Sequence, residues 1–298
     1  MWSDNVTVCL ICYNEEKRIE NAIRNFKDKF KILVIDDIPP STDRTHEICK
    51  KLCVEYTNVN RGNRAEQPDL MNKFWKKVKT EYMLFAACGE YIPDELLQLY
   101  AKVANEKSYD VVRAWRISIT AGKHLLVWGD ARKFTKRTKG IGHLRFMRRG
   151  SIDYKGNIIH REGKMVNPEK SLAPSIDPHL MFYQFRDYDS SWTEIKHAGY
   201  NDINAIQLYE KGEKYSLFKM LYKSIGAFFV CYFVRGAWKQ GHLGFMHSYY
   251  RFTHYMGLYL RLWDIEHNLQ KKDIEKIHND LRSKLISKEI TVDDLLKY

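Results

Sequence analysis

Short apolar runs alternate with helical spacing through the first hundred residues, and this alternation limits the fold more than any other feature. Residues 6–12 (VTVCLIC), 32–35 (ILVI), 54–59 (VEYTNV) and 82–86 (YMLFA) are short, apolar and rich in β-branched or aromatic side chains, as buried strands are. Between the first two, Ile19, Ala22, Ile23 and Phe26 fall on one helical face. Ser41, Thr42 and Asp43 then supply a cap for a helix over 44–53, residues 70–79 read as another, and Pro93-Asp94 opens one through Leu96, Leu97, Leu99 and Tyr100. The βαβαβαβ order predicts an α/β fold, a doubly wound, mostly parallel, Rossmann-like sheet with helices on both faces. Ligands of such sheets gather at the carboxyl ends of the strands.

The pattern changes beyond residue 110. Strand-like pieces (VVRAWRISIT, HLRFMRR, YKGNIIHREG) lie among Gly and Lys up to residue 178, and 185–210 reads as helical. Residues 215–263 are helical and aromatic, interrupted by GAWKQGHLG. Residues 265–298 are charged, with Leu269, Ile274, Ile277, Leu281 and Leu285 as a thin apolar stripe.

Three strand ends carry polar groups: Tyr13-Asn14-Glu15-Glu16, Asp36-Asp37 and Gly89-Glu90. With these residues the chain resembles the family 2 glycosyltransferases of the GT-A fold. VTVCLICYNEEKRIENAI resembles that family's first strand and turn. ILVIDDIPPSTDRTHEI resembles its V-D-D-G-S-T-D-x-T run, with Ile38-Pro39-Pro40 in place of the short Gly linker. NVNRGNRAEQPDLMNK resembles its Asn-x-Gly stretch, and MLFAACGEYIPDEL resembles its strand ending in D-x-D-E, with Ala87 and Gly89 where the aspartates stand. HLRFMRR, NIIHREG and the helical tail resemble a subgroup that builds lipopolysaccharide core. The resemblance implies a nucleotide-sugar-binding half over 1–115, an acceptor-binding half over 116–212 and a helical extension over 213–298. It also implies an inverting hexosyltransferase with a UDP-sugar donor and a cell-surface glycan or lipid-linked saccharide as acceptor.

The chemistry of such a transfer assigns the candidates. A carboxylate such as Asp36 can accept from a base's ring N–H, and Glu15 can take ribose hydroxyls. Tyr13, Asn14, Asp37 and Gly89 complete that corner. The leaving diphosphate needs counter-charge, which the family supplies with Mg2+ or Mn2+. Glu90 is the remaining metal candidate, and weak or absent metal dependence is expected. Arg61, Arg64, Arg145 and Arg161 are candidates for the phosphates, with Lys139, Arg148 and Arg149 nearby in sequence. Small side chains at 87 and 89 are expected to leave room there. Catalytic candidates are Glu162, favoured as base, Asp130 and His160, with Asp153 a further carboxylate.

The net charge of +12 favours anionic partners. It supports a second acceptor, hydroxylated bases of DNA, and the missing aspartates support a third reading, an inactive nucleotide-sugar binder. The opening MWSDNVTV has no basic leader, and the six cysteines fit a reducing compartment, so a cytoplasmic location is expected, with the inner membrane face as its alternative. Cys9 and Cys12 form C-x-x-C inside a strand, where neither zinc nor redox chemistry is expected. The longest apolar run, residues 225–234, falls short of the roughly 20 residues that cross a bilayer, so no transmembrane segment is expected. The aromatic tail reads first as core helices, then as a peripheral membrane surface, then as a nucleic-acid contact.

Overall fold

The computed structural model describes residues 1–60, 68–126, 142–154, 163–186 and 190–295. The strands are β1 (Val6–Ile11), β2 (Lys31–Asp36), β3 (Glu55–Asn58), β4 (Tyr82–Ala87), β5 (Glu90–Tyr91), β6 (Val111–Ala114), β7 (Arg116–Thr120), β8 (Lys123–His124), β9 (His143–Arg148), β10 (Ile152–Asp153), β11 (Lys164–Met165), β12 (Ser171–Leu172) and β13 (Phe182–Arg186). The helices are α1 (Ile19–Phe26), α2 (Thr45–Lys51), α3 (Pro68–Lys77), α4 (Asp94–Glu106), α5 (Ser190–Glu210), α6 (Leu217–Phe229), α7 (Gly241–Glu266), α8 (Lys271–Ile286) and α9 (Val292–Leu295). Chain contacts group these into two units. One holds 1–124 and 130–187, the other 125–129 and 188–298.

The first unit is built on a seven-stranded sheet of order β12-β6-β9-β4-β1-β2-β3. β4, β1, β2 and β3 run parallel, as their βαβ crossovers require. β9 is antiparallel to both β4 and β6, so the sheet is mixed beyond the four strands that the alternation predicts. Both faces are covered, and the period of two is visible in the burial. Val6, Val8 and Leu10 of β1 pack with Ile23 and Phe26 of α1 and Leu97 and Tyr100 of α4. Cys9, Leu33, Ile35 and Met83 face the other way, onto Leu70 and Phe74 of α3. Cys9 and Cys12 therefore lie in different cores, on opposite faces, and cannot close on one ion. Burial pushes the Cys9 thiol up and Cys49 to about 11.

A smaller sheet, β5-β13-β7-β8, sits in the same unit. The helix expected from residue 185 starts later, because Phe182–Arg186 pairs with Arg116–Thr120 as a parallel strand and helix begins at Ser190. In the second unit, Met220 of α6 packs with Leu258, Tyr259 and Leu262 of α7 and Ala205 of α5. Ser216 caps α6, its hydroxyl accepting from the Lys219 N–H at 3.3 Å.

Candidate functional site

Parallel pairing brings three strand ends side by side. Ile11 lies opposite both Ile35 and Ala87, so the chain leaves β4, β1 and β2 at one edge of the sheet. Tyr13, Asn14 and Glu15 follow β1, Asp36 and Asp37 end β2, and Gly89 and Glu90 follow β4. These candidates are brought together by register alone.

The turn after β1 is laced to the loop after β2. Asn14 takes a left-handed backbone (φ 53°), which Asn tolerates better than most residues. Its N–H donates to the Ser41 hydroxyl at 2.8 Å, and its side-chain oxygen accepts from the Thr42 N–H at 2.8 Å. The Glu15 N–H donates to Thr45 Oγ1 at 2.8 Å and the Glu16 N–H to Asp43 Oδ2 at 2.9 Å. The carboxylate of Glu15, expected on ribose hydroxyls, accepts from Arg18 Nε at 2.6 Å and Nη2 at 2.9 Å. Tyr13 projects outward, 46% exposed.

Asp36 is completely buried. It accepts from the N–H of Asp37 at 2.7 Å, from the N–H of Ser41 at 2.8 Å and from the Tyr56 hydroxyl. Burial and this carboxylate push the Tyr56 phenol up. Asp36 therefore organises the turn from within, and Asp37, half-buried, is the acid nearer the surface. The Asp37 carbonyl accepts from Asn58 Nδ2 at 3.0 Å, which ties the end of β3 to the same corner.

The third strand end is closed. A side chain at Gly89 would begin 3.1 Å from the Phe185 carbonyl and 3.5 Å from Arg18 Nη1, so this position offers no spare room. Cys88 is buried and its thiol is pushed well up by that burial. Glu90, its side chain 1% exposed, accepts from the Ala87 N–H at 3.0 Å through one oxygen and from Arg145 Nη2 at 2.5 Å through the other. Asn25 of α1 braces the segment from behind, donating to the Ile92 carbonyl at 3.0 Å and accepting its N–H at 2.9 Å. The Arg145 guanidinium lies between the rings of Phe85 (5.4 Å) and Phe182 (5.0 Å), and its buried Nε has no partner among the described residues.

This donor set does not fit a divalent cation held by the protein. Positions 87 and 89 carry no carboxylate, and both oxygens of Glu90 already accept from N–H groups. Among the described residues no three His, Cys, Asp or Glu side chains cluster as ligands would. Glu90, the sequence's metal candidate, is in this structure the partner of a charge pair with Arg145.

The other arginines divide. Arg148 and Arg149 sit at the opposite end of the sheet, because β9 runs antiparallel to β4 and Arg148 faces Tyr82, where β4 begins. Arg148 pairs with Glu81 and Asp110, and Arg149 donates to the carbonyls of Trp75, Val78 and Thr80. Arg61, Arg64, Asp130, Lys139, His160, Arg161 and Glu162 lie outside the described residues. Asp153, in β10, is exposed. Sequence reasoning missed Arg18, Asn25 and Asn58. The three-residue spacing of Glu15 and Arg18 was a readable signal for the first, and no local signal marks the other two.

The Glycosyl transferase family 2 pattern matches residues 7–165. No curated protein sequence matches the chain. Among solved structures, glucosyl-3-phosphoglycerate synthase from Mycobacterium tuberculosis, in complex with Mn2+, uridine-diphosphate-glucose and phosphoglyceric acid, is 15% identical over 50% of this chain and 58% of that one, with a TM-score of 0.35. S. aureus TarS 1-349 in complex with UDP-GlcNAc is 13% identical over 89% of this chain and 92% of that one, with a TM-score of 0.44. The chain thus spans less than two thirds of the synthase.

Proposed function

The chain belongs to glycosyl transferase family 2 and has the α/β architecture of its GT-A fold, and on that premise we propose an inverting hexosyltransferase that uses a UDP-sugar and a hydroxyl acceptor on a cell-surface glycan or lipid-linked saccharide. The observation that carries the reading is the buried Glu90–Arg145 pair at the third strand end. There the family's resemblance places metal-binding aspartates, and this chain holds a fixed guanidinium. Arginine presents planar donors that suit phosphate oxygens, and a cation already in place needs no reorganisation as charge develops on the leaving group.

In this reading Tyr13 lends a ring face to the base, and Asn14 and Asp37 present polar groups to the nucleoside. Arg145 faces the diphosphate, with Glu90 keeping its guanidinium in position. The acceptor oxygen attacks the anomeric carbon from the side opposite the diphosphate. The C1–O bond breaks, its electron pair passes to the diphosphate oxygen, and the acceptor proton passes to a base. Glu162 is the proposed base, with Asp130 and His160 as the other candidates and Arg61, Arg64 and Arg161 as further phosphate ligands. Metal dependence is weak or absent in this proposal, since Arg145 supplies the charge that a cation would.

Thermal melts with UDP, GDP, dTDP and CMP, each with and without Mn2+, test it. A ligand at a hundredfold its Kd adds about 2.7 kcal/mol, which raises Tm by several degrees. UDP is expected to do so in the presence of EDTA, and the Arg145→Ala variant to lose the shift. Stabilisation that appears only with Mn2+ overturns the metal-independent part, and no response to any nucleotide overturns the donor assignment. The net charge of +12 favours a second acceptor, a hydroxylated base in DNA. Salt-sensitive DNA binding together with transfer to such a base, and none to saccharides, would establish it.

A further inference from the structure

One face of the aromatic tail packs as core around Met220, Leu258 and Tyr259, and another does not. Phe218, Leu221, Tyr222, Ile225, Phe229 and Phe233 are each 40% exposed or more. At 3.6 residues per turn these six fall within about 60° of one line along the helix. The opposite face holds Met220, Ser224 and Cys231, all buried. Met220 packs on Leu258 and Tyr259 of α7, and Cys231 on Leu125. Helix α6 and the wide π turn that follows it, Val230–Val234, thus present a continuous apolar stripe over a face fixed to the second unit. Counting only the uninterrupted run 225–234 understates this segment. The helical stretch Leu217–Val234 has the length and composition of a membrane-crossing helix, with only 17% of it buried.

Charge selects the occupant. From residue 214 to residue 263 the sequence has no Asp or Glu and seven Lys or Arg. Lys214, just before the helix, is exposed at one end of the stripe, and Arg235 and Lys239 at the other, where Trp238 is 52% exposed, while Lys223 is exposed about 130° around the helix from the stripe. Lys239 lies 5.6 Å from the Trp238 ring. Aromatics with lysine and arginine at the ends of an apolar stripe suit the headgroup region of a bilayer, where rings enter the acyl boundary and cations meet lipid phosphate.

We propose that α6 and the turn after it form a docking surface for an anionic lipid bilayer, lying in the plane of the interface. The buried face decides against crossing: a spanning helix would have to leave α7 and take Lys219 and Lys223 into hydrocarbon. The proposal stands on the second unit alone and is independent of the transfer reaction.

Flotation of the full chain with vesicles tests it, using phosphatidylcholine alone or mixed with phosphatidylglycerol. Binding is expected only to the mixed vesicles, weakening with salt, and by about fivefold for each charge lost in Lys214→Gln and Lys239→Gln. The double variant Phe218→Asp/Phe229→Asp should lose binding more than tenfold. Its helical circular dichroism and urea midpoint should change little, because both rings are more than half exposed in the free protein and touch rings of the same stripe. Trp238 emission should shift to the blue on binding and do so no longer in Trp238→Phe. Failure to float with any vesicle overturns the proposal. So does dimerisation abolished by the Phe218→Asp/Phe229→Asp variant, which assigns the stripe to a second copy. Resistance of vesicle-bound protein to alkaline carbonate extraction overturns the in-plane geometry in favour of a spanning helix.

Discussion

At the start of β4, Glu81 meets Arg148; just past its end, Glu90 meets Arg145. The two pairs use the same chemistry at opposite ends of one sheet, and their surroundings differ. Glu81 also accepts from Lys107 at 2.9 Å and from Asn5 at 3.1 Å, while Arg148 also reaches Asp110, which accepts from Asn167. Two acids and two cations are balanced there, and each ties down a separate loop. At the other end one acid faces one cation, aromatic rings cover the guanidinium faces, and the buried Nε lacks a partner among the described residues. A saturated network stabilises the fold. A cation with a spare donor, held rigidly at the edge of the sheet where the site is proposed, is suited to receive an anion.

The largest effect should come from Arg145. In Arg145→Ala, kcat/KM for transfer should fall about 100- to 1000-fold, the cost of losing one preorganised donor to developing charge. Arg145→Lys should recover only part, since an ammonium cannot hold Glu90 and a phosphate oxygen in one plane. A near-native rate in Arg145→Ala would remove the residue from the mechanism. Glu90→Gln should cost less, about tenfold in kcat, because the amide oxygen can still accept from Ala87 or Arg145. The effects of Arg145→Ala and Glu90→Gln should be far from additive, since Glu90 acts through Arg145.

Glu81→Gln should move stability and leave the donor KM unchanged. The Lys107 ammonium, the Asn5 amide and the Arg148 guanidinium hold the Glu81 carboxyl down to about 2, below the ordinary 4.5. A depressed value means stabilisation that is present above the ordinary value and is lost as pH falls through the folded one. Urea melts should therefore show Glu81→Gln weaker by about 1–3 kcal/mol at pH 7, with the gap closing between pH 4.5 and about 2. A gap independent of pH would show that packing, not charge, is responsible.

The parallel strands and their helices were legible because burial on both faces imposes apolar runs that end in polar turns, as in VTVCLICYNEE and ILVIDD. The convergence of Tyr13, Asp36 and Glu90 followed from that order. Their roles did not. Asp36 looks in sequence like any strand-end acid, and only the fold shows Ser41 and Tyr56 closing on it. Glu90 and Arg145 are 55 residues apart and meet because β9 returns antiparallel beside β4, a pairing with no local signature. Residues 215–263 were legible as aromatic helices, but period alone does not say whether a face meets protein or water.

Gly89 gives the smallest effect and the sharpest link to the family motif. Its carbonyl accepts from the Phe185 N–H at 2.8 Å, so β13 cannot easily retreat from a side chain placed 3.1 Å from the Phe185 carbonyl. Gly89→Ala should cost about 1 kcal/mol, a Tm loss of a few degrees. Gly89→Asp should cost more, since its carboxylate adds bulk at the same contact. If Arg145 has taken over the cation's work, Gly89→Asp should gain no Mn2+ stimulation, because its carboxylate would meet Arg18 before any metal. Mn2+-dependent recovery of activity in that variant would show the reverse, that the metal position survives in the fold and lacks only its ligand.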